Sequence, residues 1–235
     1  MEIKIQAYGA CMIGGFPHPP EASCFHLALA RLNSQTAHQL ITTIFTLGGF
    51  PVTRAAKHLT ARCLAARPDI VVLQFGSSDL IVPVRRKKHG RQVSSVDRKV
   101  SLAGADAVHR LKWRLQGFVG DALGLSSVTP PEIYLETMAQ MIRAIADQGA
   151  VPVVLSPFVF GGQRSDRLAR KCVASLQPVV AAMPAARYVN VYAALDRHPR
   201  RLMLLGDGTH LSVQGQAVAG ECLAAVLAPI IRERK

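Results

Sequence analysis

Four short blocks of this chain hold the residue types from which a reactive centre can be built. A thiol, Cys11, closes the run Gly9-Ala10-Cys11, and Gly48 and Gly49 form a pair. Gly76-Ser77-Ser78-Asp79 sets two hydroxyls and a carboxylate behind a glycine, while Asp207-Gly208-Thr209-His210 places an aspartate three residues before a histidine. A nucleophile on a tight turn is exposed, and an imidazole within hydrogen-bond reach can take its proton and later return it to a leaving group. A carboxylate behind that imidazole fixes its tautomer and stabilises it once protonated. The negative oxygen that forms when an acyl carbon becomes tetrahedral needs donors already aimed at it. Cysteine reacts as the thiolate, a form favoured beside a protonated histidine or a helix N-terminus.

The elements must bring these blocks together. Short β-branched runs at 3–8, 41–47, 70–75, 151–155 and 188–191 alternate with stretches of helical period at 53–66, 132–148 and 163–182, and a last helix is expected at 212–229. That alternation predicts βαβ units around a mostly parallel sheet. The unbroken apolar run Ile70-Val71-Val72-Leu73 has the character of a strand buried on both faces. Five strands with helices on both faces give a three-layer α/β/α sandwich. Ligands of open sheets of this kind bind beyond the carboxyl ends of the strands. Three of the blocks follow a predicted strand and the fourth precedes the final helix, so all four are expected at one edge.

In this order the blocks resemble those of the SGNH hydrolases, also called GDSL esterases, over most of the chain. Gly9-Ala10-Cys11 stands where that family has GDS with a nucleophilic serine, Gly49 (or else Gly48) where it has a glycine, and Gly76-Ser77-Ser78-Asp79 where it has GxND. Asp207-Gly208-Thr209-His210, followed by Leu211 and Gly215, keeps the family's DxxH unchanged. The resemblance implies a flavodoxin-like fold with a central five-stranded parallel sheet. It also implies Cys11 as nucleophile, His210 as proton shuttle and Asp207 as its orienting carboxylate. The oxyanion donors would be the backbone N–H groups of Cys11 and Gly49 and the side chain of Ser78. The implied activity is hydrolysis or acyl transfer on an ester or thioester, with a small acyl ester or thioester as substrate and no metal or cofactor.

Three departures bear on that implication. A site shaped around oxygen must accommodate the larger sulfur. Ser78 is shorter than the asparagine it replaces, and losing one oxyanion donor lowers the rate by about 100- to 1,000-fold unless a bridging water substitutes. Ala10 removes a supporting carboxylate. The alternative is therefore an SGNH-fold binding module, catalytically inactive, for an acyl or saccharide ligand. Cys11 as a redox thiol is a weaker idea, because no resolving cysteine lies near it in sequence. As a packing residue, Cys11 would be a small buried hydrophobe.

The chain's 235 residues carry 28 Lys and Arg against 15 Asp and Glu, a net charge of +13, and 49% of them are apolar. This composition supports one domain with a large core, residues 1–235, carrying a basic insertion at about 84–125. Between Arg85 and Arg114 ten basic residues face only Asp97 and Asp106. Val100, Ala103, Ala107 and Leu111 recur there at helical spacing, which predicts an amphipathic helix able to act as a lid. Its field suits an anionic ligand or an acidic carrier protein. Nucleic acid is disfavoured, since only Trp113 and Phe118 could stack on bases. The five cysteines are odd in number and form no CxxC pair, which argues against a disulfide framework and a zinc site, leaving free thiols. Cys24, Cys63, Cys172 and Cys222 are expected in the core. His18, His26, His38, His58, His89, His109 and His198 are expected in solvent. No uninterrupted apolar run approaches a membrane span and the N-terminus lacks a secretory pattern, so the expected location is cytoplasmic.

Overall fold

A computed structural model describes residues 1–80, 127–160 and 162–234. The basic insertion, its predicted helix, His89 and His109 lie outside these residues. Five strands form one parallel sheet: β1 (Glu2–Gly9), β2 (Gln39–Thr46), β3 (Ile70–Gln74), β4 (Val151–Leu155) and β5 (Arg187–Val189), in the order β2-β1-β3-β4-β5. All five residues of β3 are buried, as the apolar run predicts for a central strand covered on both faces. The order reverses between β1 and β3, and the crevice at such a switch point is where open α/β sheets bind ligands.

The helices are α1 (Cys24–Asn33), α2 (Val52–Ala56), α3 (Leu59–Arg62), α4 (Pro131–Asp147), α5 (Gln163–Ala181), α6 (Val191–Asp196), α7 (Arg200–Met203) and α8 (Val213–Glu233). α8 packs along α1 and buries Ala219, Leu223, Leu227 and Ile231. By length and composition alone this 21-residue helix, of mean hydropathy 1.3, could cross a bilayer, a property that a search for uninterrupted apolar runs misses. More than half of it is buried inside the protein, as befits a core helix.

Two boundaries differ from expectation. The predicted helix over 53–66 is broken into α2, α3 and a 3-10 turn at Leu64–Ala66. A continuous helix would use the Ala55 carbonyl for residue 59; here it accepts from the Tyr8 hydroxyl at 2.7 Å and from the His58 N–H at 2.9 Å. The fifth strand ends at Val189 because Asn190 caps α6, its side chain accepting from the Ala193 N–H at 3.0 Å. The histidines are a further correction: His198 alone among those described is exposed, while His18, His26, His38 and His58 are half-buried. His26 Nδ1 lies 2.8 Å from Ser23 Oγ. All five cysteines are free, with Cys24, Cys63 and Cys172 buried and Cys11 and Cys222 only partly so.

At the switch point β1 and β3 approach closely. A Cβ on Gly9 would come within 2.4 Å of the Gln74 carbonyl oxygen, the same oxygen that accepts from the Ala10 N–H at 2.9 Å. Gly9→Ala is therefore expected to destabilise the protein by about 1–3 kcal/mol, read as a lower urea midpoint with unchanged slope.

Candidate active site

The chain leaves β1 at Gly9 and turns at once into a 3-10 turn, Cys11–Gly14, whose buried Met12 and Ile13 root it in the core. Cys11 opens the turn and remains half-buried. Two other segments hold it in place. The Leu47 N–H donates to the Gly9 carbonyl at 2.9 Å, which ties the loop after β2 to the turn. The buried side chain of Gln216, on α8, accepts from the Cys24 N–H at 2.9 Å and donates to the Met12 carbonyl at 3.3 Å. One amide thus joins the turn to both α1 and α8.

Asp207 and His210 sit on a hairpin before α8. Leu204 and Leu211 form an antiparallel bridge, the Leu205 N–H donates to the His210 carbonyl at 2.8 Å, and the Ser212 N–H donates to the Met203 carbonyl at 2.9 Å. Arg200 anchors the approach to this hairpin, its guanidinium lying 2.6 Å from Asp166 Oδ1 and 2.6 Å from Asp196 Oδ1. Asp207 Oδ1 accepts from the N–H groups of Thr209 and His210, both at 2.9 Å, leaving Oδ2 to meet His210 Nδ1 at 2.5 Å. On the other side of the ring, Nε2 lies 3.5 Å from Cys11 Sγ. Sulfur, imidazole and carboxylate are in line across 199 residues of sequence.

The electrostatics follow from that line. Burial opposes charge on His210, but the hydrogen bond to Asp207 and the contact with Cys11 outweigh it and push the imidazole pKa up to about 9. Burial likewise opposes charge on Asp207, yet its hydrogen bonds to His210 hold the carboxyl below its ordinary value. At neutral pH the centre carries an imidazolium between a carboxylate and a sulfur.

The other two blocks lie in the loops that follow β2 and β3. Gly48 has φ +56°, a conformation that suits glycine and turns the chain after β2. Gly49 follows, and a Cβ placed on it would lie 4.0 Å from Ser78 Oγ, so the two candidate donors border the same space. The Gly49 N–H has no hydrogen-bond partner among the described residues. Asp79 ties these loops together. It is fully buried; its Oδ1 accepts from the Val52 N–H at 2.8 Å and the Thr129 hydroxyl at 2.7 Å, and its Oδ2 accepts from the Gly76 N–H at 3.3 Å. Burial pushes its pKa up against those donors. The last residue of the third block therefore has a structural task, joining the loop after β3 to the start of α2.

Sequence reasoning missed three residues here. Gln216 shows itself only as a polar residue on an apolar helix. Phe16 packs edge-on against His210, ring centroids 5.1 Å apart, and His18 Nε2 lies 3.0 Å from the Leu211 carbonyl. Both belong to an aperiodic Gly-Gly-Phe-Pro-His loop, where an aromatic five residues after the cysteine was the available signal.

No protein-family model matches the sequence. No curated protein matches it either. Solved structures do. A lipase/acylhydrolase from Enterococcus faecalis is 19% identical, with a TM-score of 0.61 over 95% of this chain and 94% of that one. LAE5, an alpha/beta hydrolase enzyme from the metagenome of Lake Arreo, is 16% identical, with a TM-score of 0.65 over 95% and 94%. A member of the lipolytic G-D-S-L family from Veillonella parvula is 12% identical, with a TM-score of 0.60 over 95% and 97%. Identities this low speak to architecture. The five-stranded parallel sheet, its strand order and these matches show that the chain has the SGNH, or GDSL, hydrolase fold.

Proposed function

We propose that this protein is a cysteine-dependent SGNH-type hydrolase or acyltransferase that cleaves an ester or thioester through Cys11, His210 and Asp207. The observation that carries the reading is the continuous line from Cys11 Sγ through His210 to Asp207 Oδ2. In the first half-reaction the thiolate attacks the acyl carbon, an S–C bond forms, the bond to the leaving oxygen or sulfur breaks, and protonated His210 gives its proton to the leaving group. In the second, a water or acceptor hydroxyl loses its proton to the now neutral His210 and adds to the acyl carbon. The S–C bond breaks and the thiolate–imidazolium pair returns. The N–H groups of Cys11 and Gly49, with Ser78 beside them, serve as donors to the oxyanion in both halves.

The acyl donor in this reading is a small molecule, and the site of action is the cytoplasm. An anionic substituent or an acidic carrier is supported by the net charge of +13 and by Arg54, whose guanidinium stacks 3.8 Å from the centroid of Phe50, the residue after Gly49. Brief exposure to an activated thioester followed by acid quench and mass spectrometry is expected to find the acyl group on the peptide containing Cys11. An unmodified Cys11 after exposure to a panel of short and long acyl thioesters would instead support a binding module.

A further inference from the structure

From its packing we infer that Phe16 forms the leaving-group subsite, selecting acyl donors whose departing alcohol or thiol is aromatic or extended and apolar. This rests on the reaction proposed above. The large side chain of Phe16 remains 46% exposed beside the most polar residues of the site. It is also held there deliberately by the chain. Its N–H donates to the Cys11 carbonyl at 3.2 Å, and the His18 ring two residues on meets the Leu211 carbonyl, adjacent to His210, at 3.0 Å. The loop thus spans from the sulfur's own residue to the imidazole's neighbour, and its aromatic ring rests edge-on against the imidazole at 67°.

The chemistry gives the side. The proton on Nε2 must reach the departing atom, so the leaving group lies against His210, whereas the carbonyl oxygen lies towards Gly49 and Ser78. An exposed ring packed on the imidazole is therefore in position to meet what leaves and not what stays on sulfur. Aromatic rings favour edge-to-face or offset contacts with other rings and bury apolar area at little conformational loss. A phenyl or alkyl leaving group would cover the exposed part of Phe16.

The test compares two substrate series in wild type, Phe16→Ala and Phe16→Leu, with intrinsic reactivity cancelling in the variant-to-wild-type ratio. In acetyl thioesters of methanethiol, butanethiol and thiophenol, Phe16→Ala is expected to reduce the phenyl-over-methyl preference in kcat/KM by about ten-fold. Phe16→Leu should restore the butyl preference better than the phenyl one. In phenyl thioesters of lengthening acyl chain, the dependence on chain length should keep its wild-type slope. An equal loss for all leaving groups would overturn the inference in favour of a ring that only positions His210. A changed acyl-length slope would overturn it in favour of an acyl subsite. Turnover in the wild type that follows neither Phe16 variant but still acylates Cys11 would remove this subsite while leaving the proposed reaction intact; absence of Cys11 acylation would remove both.

Discussion

Cys11→Ala is expected to abolish thioester turnover, with a fall in kcat on the order of a million-fold where chemistry limits the rate. No other group within reach of His210 Nε2 among the described residues can take over covalent bonding to the acyl carbon. What survives is the contribution of binding and oxyanion donors, about 1,000- to 10,000-fold over water for enzymes of triad type. Because Cys11 is only half-buried and sits in a turn rooted by Met12 and Ile13, the variant should fold with a thermal midpoint close to wild type. A packing role for the thiol predicts the reverse pattern, activity retained and stability lost. Steady-state kinetics and a melting curve on the same preparation separate the two.

Asp207→Asn is expected to lower kcat by about 10,000-fold while preserving the fold. The local hydrogen bonds dictate why. Asp207 Oδ1 is committed to the N–H groups of Thr209 and His210, so an asparagine must place its carbonyl oxygen there and turn its NH2 towards His210 Nδ1. Nδ1 then becomes the acceptor and the ring proton moves to Nε2, facing the sulfur, which leaves the neutral imidazole unable to take a proton from that side. The pH profile supplies a second readout. His210 is protonated below about pH 9 and can give its proton to a leaving group; above that value the acid form is lost. Wild-type turnover of substrates with poor leaving groups should therefore decline as pH rises through about 9. Removing the carboxylate removes the largest of the effects that raise this value, so in the variant the declining limb should move to lower pH.

The sheet and the four blocks were legible because each rests on local information. Ile70–Leu73 of β3 is an unbroken apolar run of the kind a strand covered on both faces carries, and the DxxH spacing puts a carboxylate and an imidazole on one short hairpin wherever that hairpin lies. That the Cys11 and His210 blocks share one edge was legible from the strand ends, whereas their pairing was legible only through the resemblance, since no periodicity links residues 199 apart. What escaped depends on tertiary partners. The helix expected over 53–66 breaks where the Tyr8 hydroxyl takes up the Ala55 carbonyl, a bond from a different strand. His18 reads as a surface residue until the Leu211 carbonyl arrives beside it. The shortened fifth strand is different: Asn190 is a helix-starting residue, and its signal was present in the sequence but outweighed by the aliphatic residues around it. Asp79 belongs to a recognised block, yet its buried bonds to Val52, Thr129 and Gly76 could not be read from the block itself.

The amide of Gln216 has a consequence for the order of events during synthesis. It spans the turn of Cys11 and the start of α1 from a helix made at the far end of the chain. A ribosome emits the thiol first and the imidazole some two hundred residues later, at about 5–20 residues per second. For those tens of seconds the sulfur has neither its proton partner nor the clamp that fixes its turn. Until the closing helix docks, the nascent chain lacks the imidazole and the clamp that the proposed reaction requires.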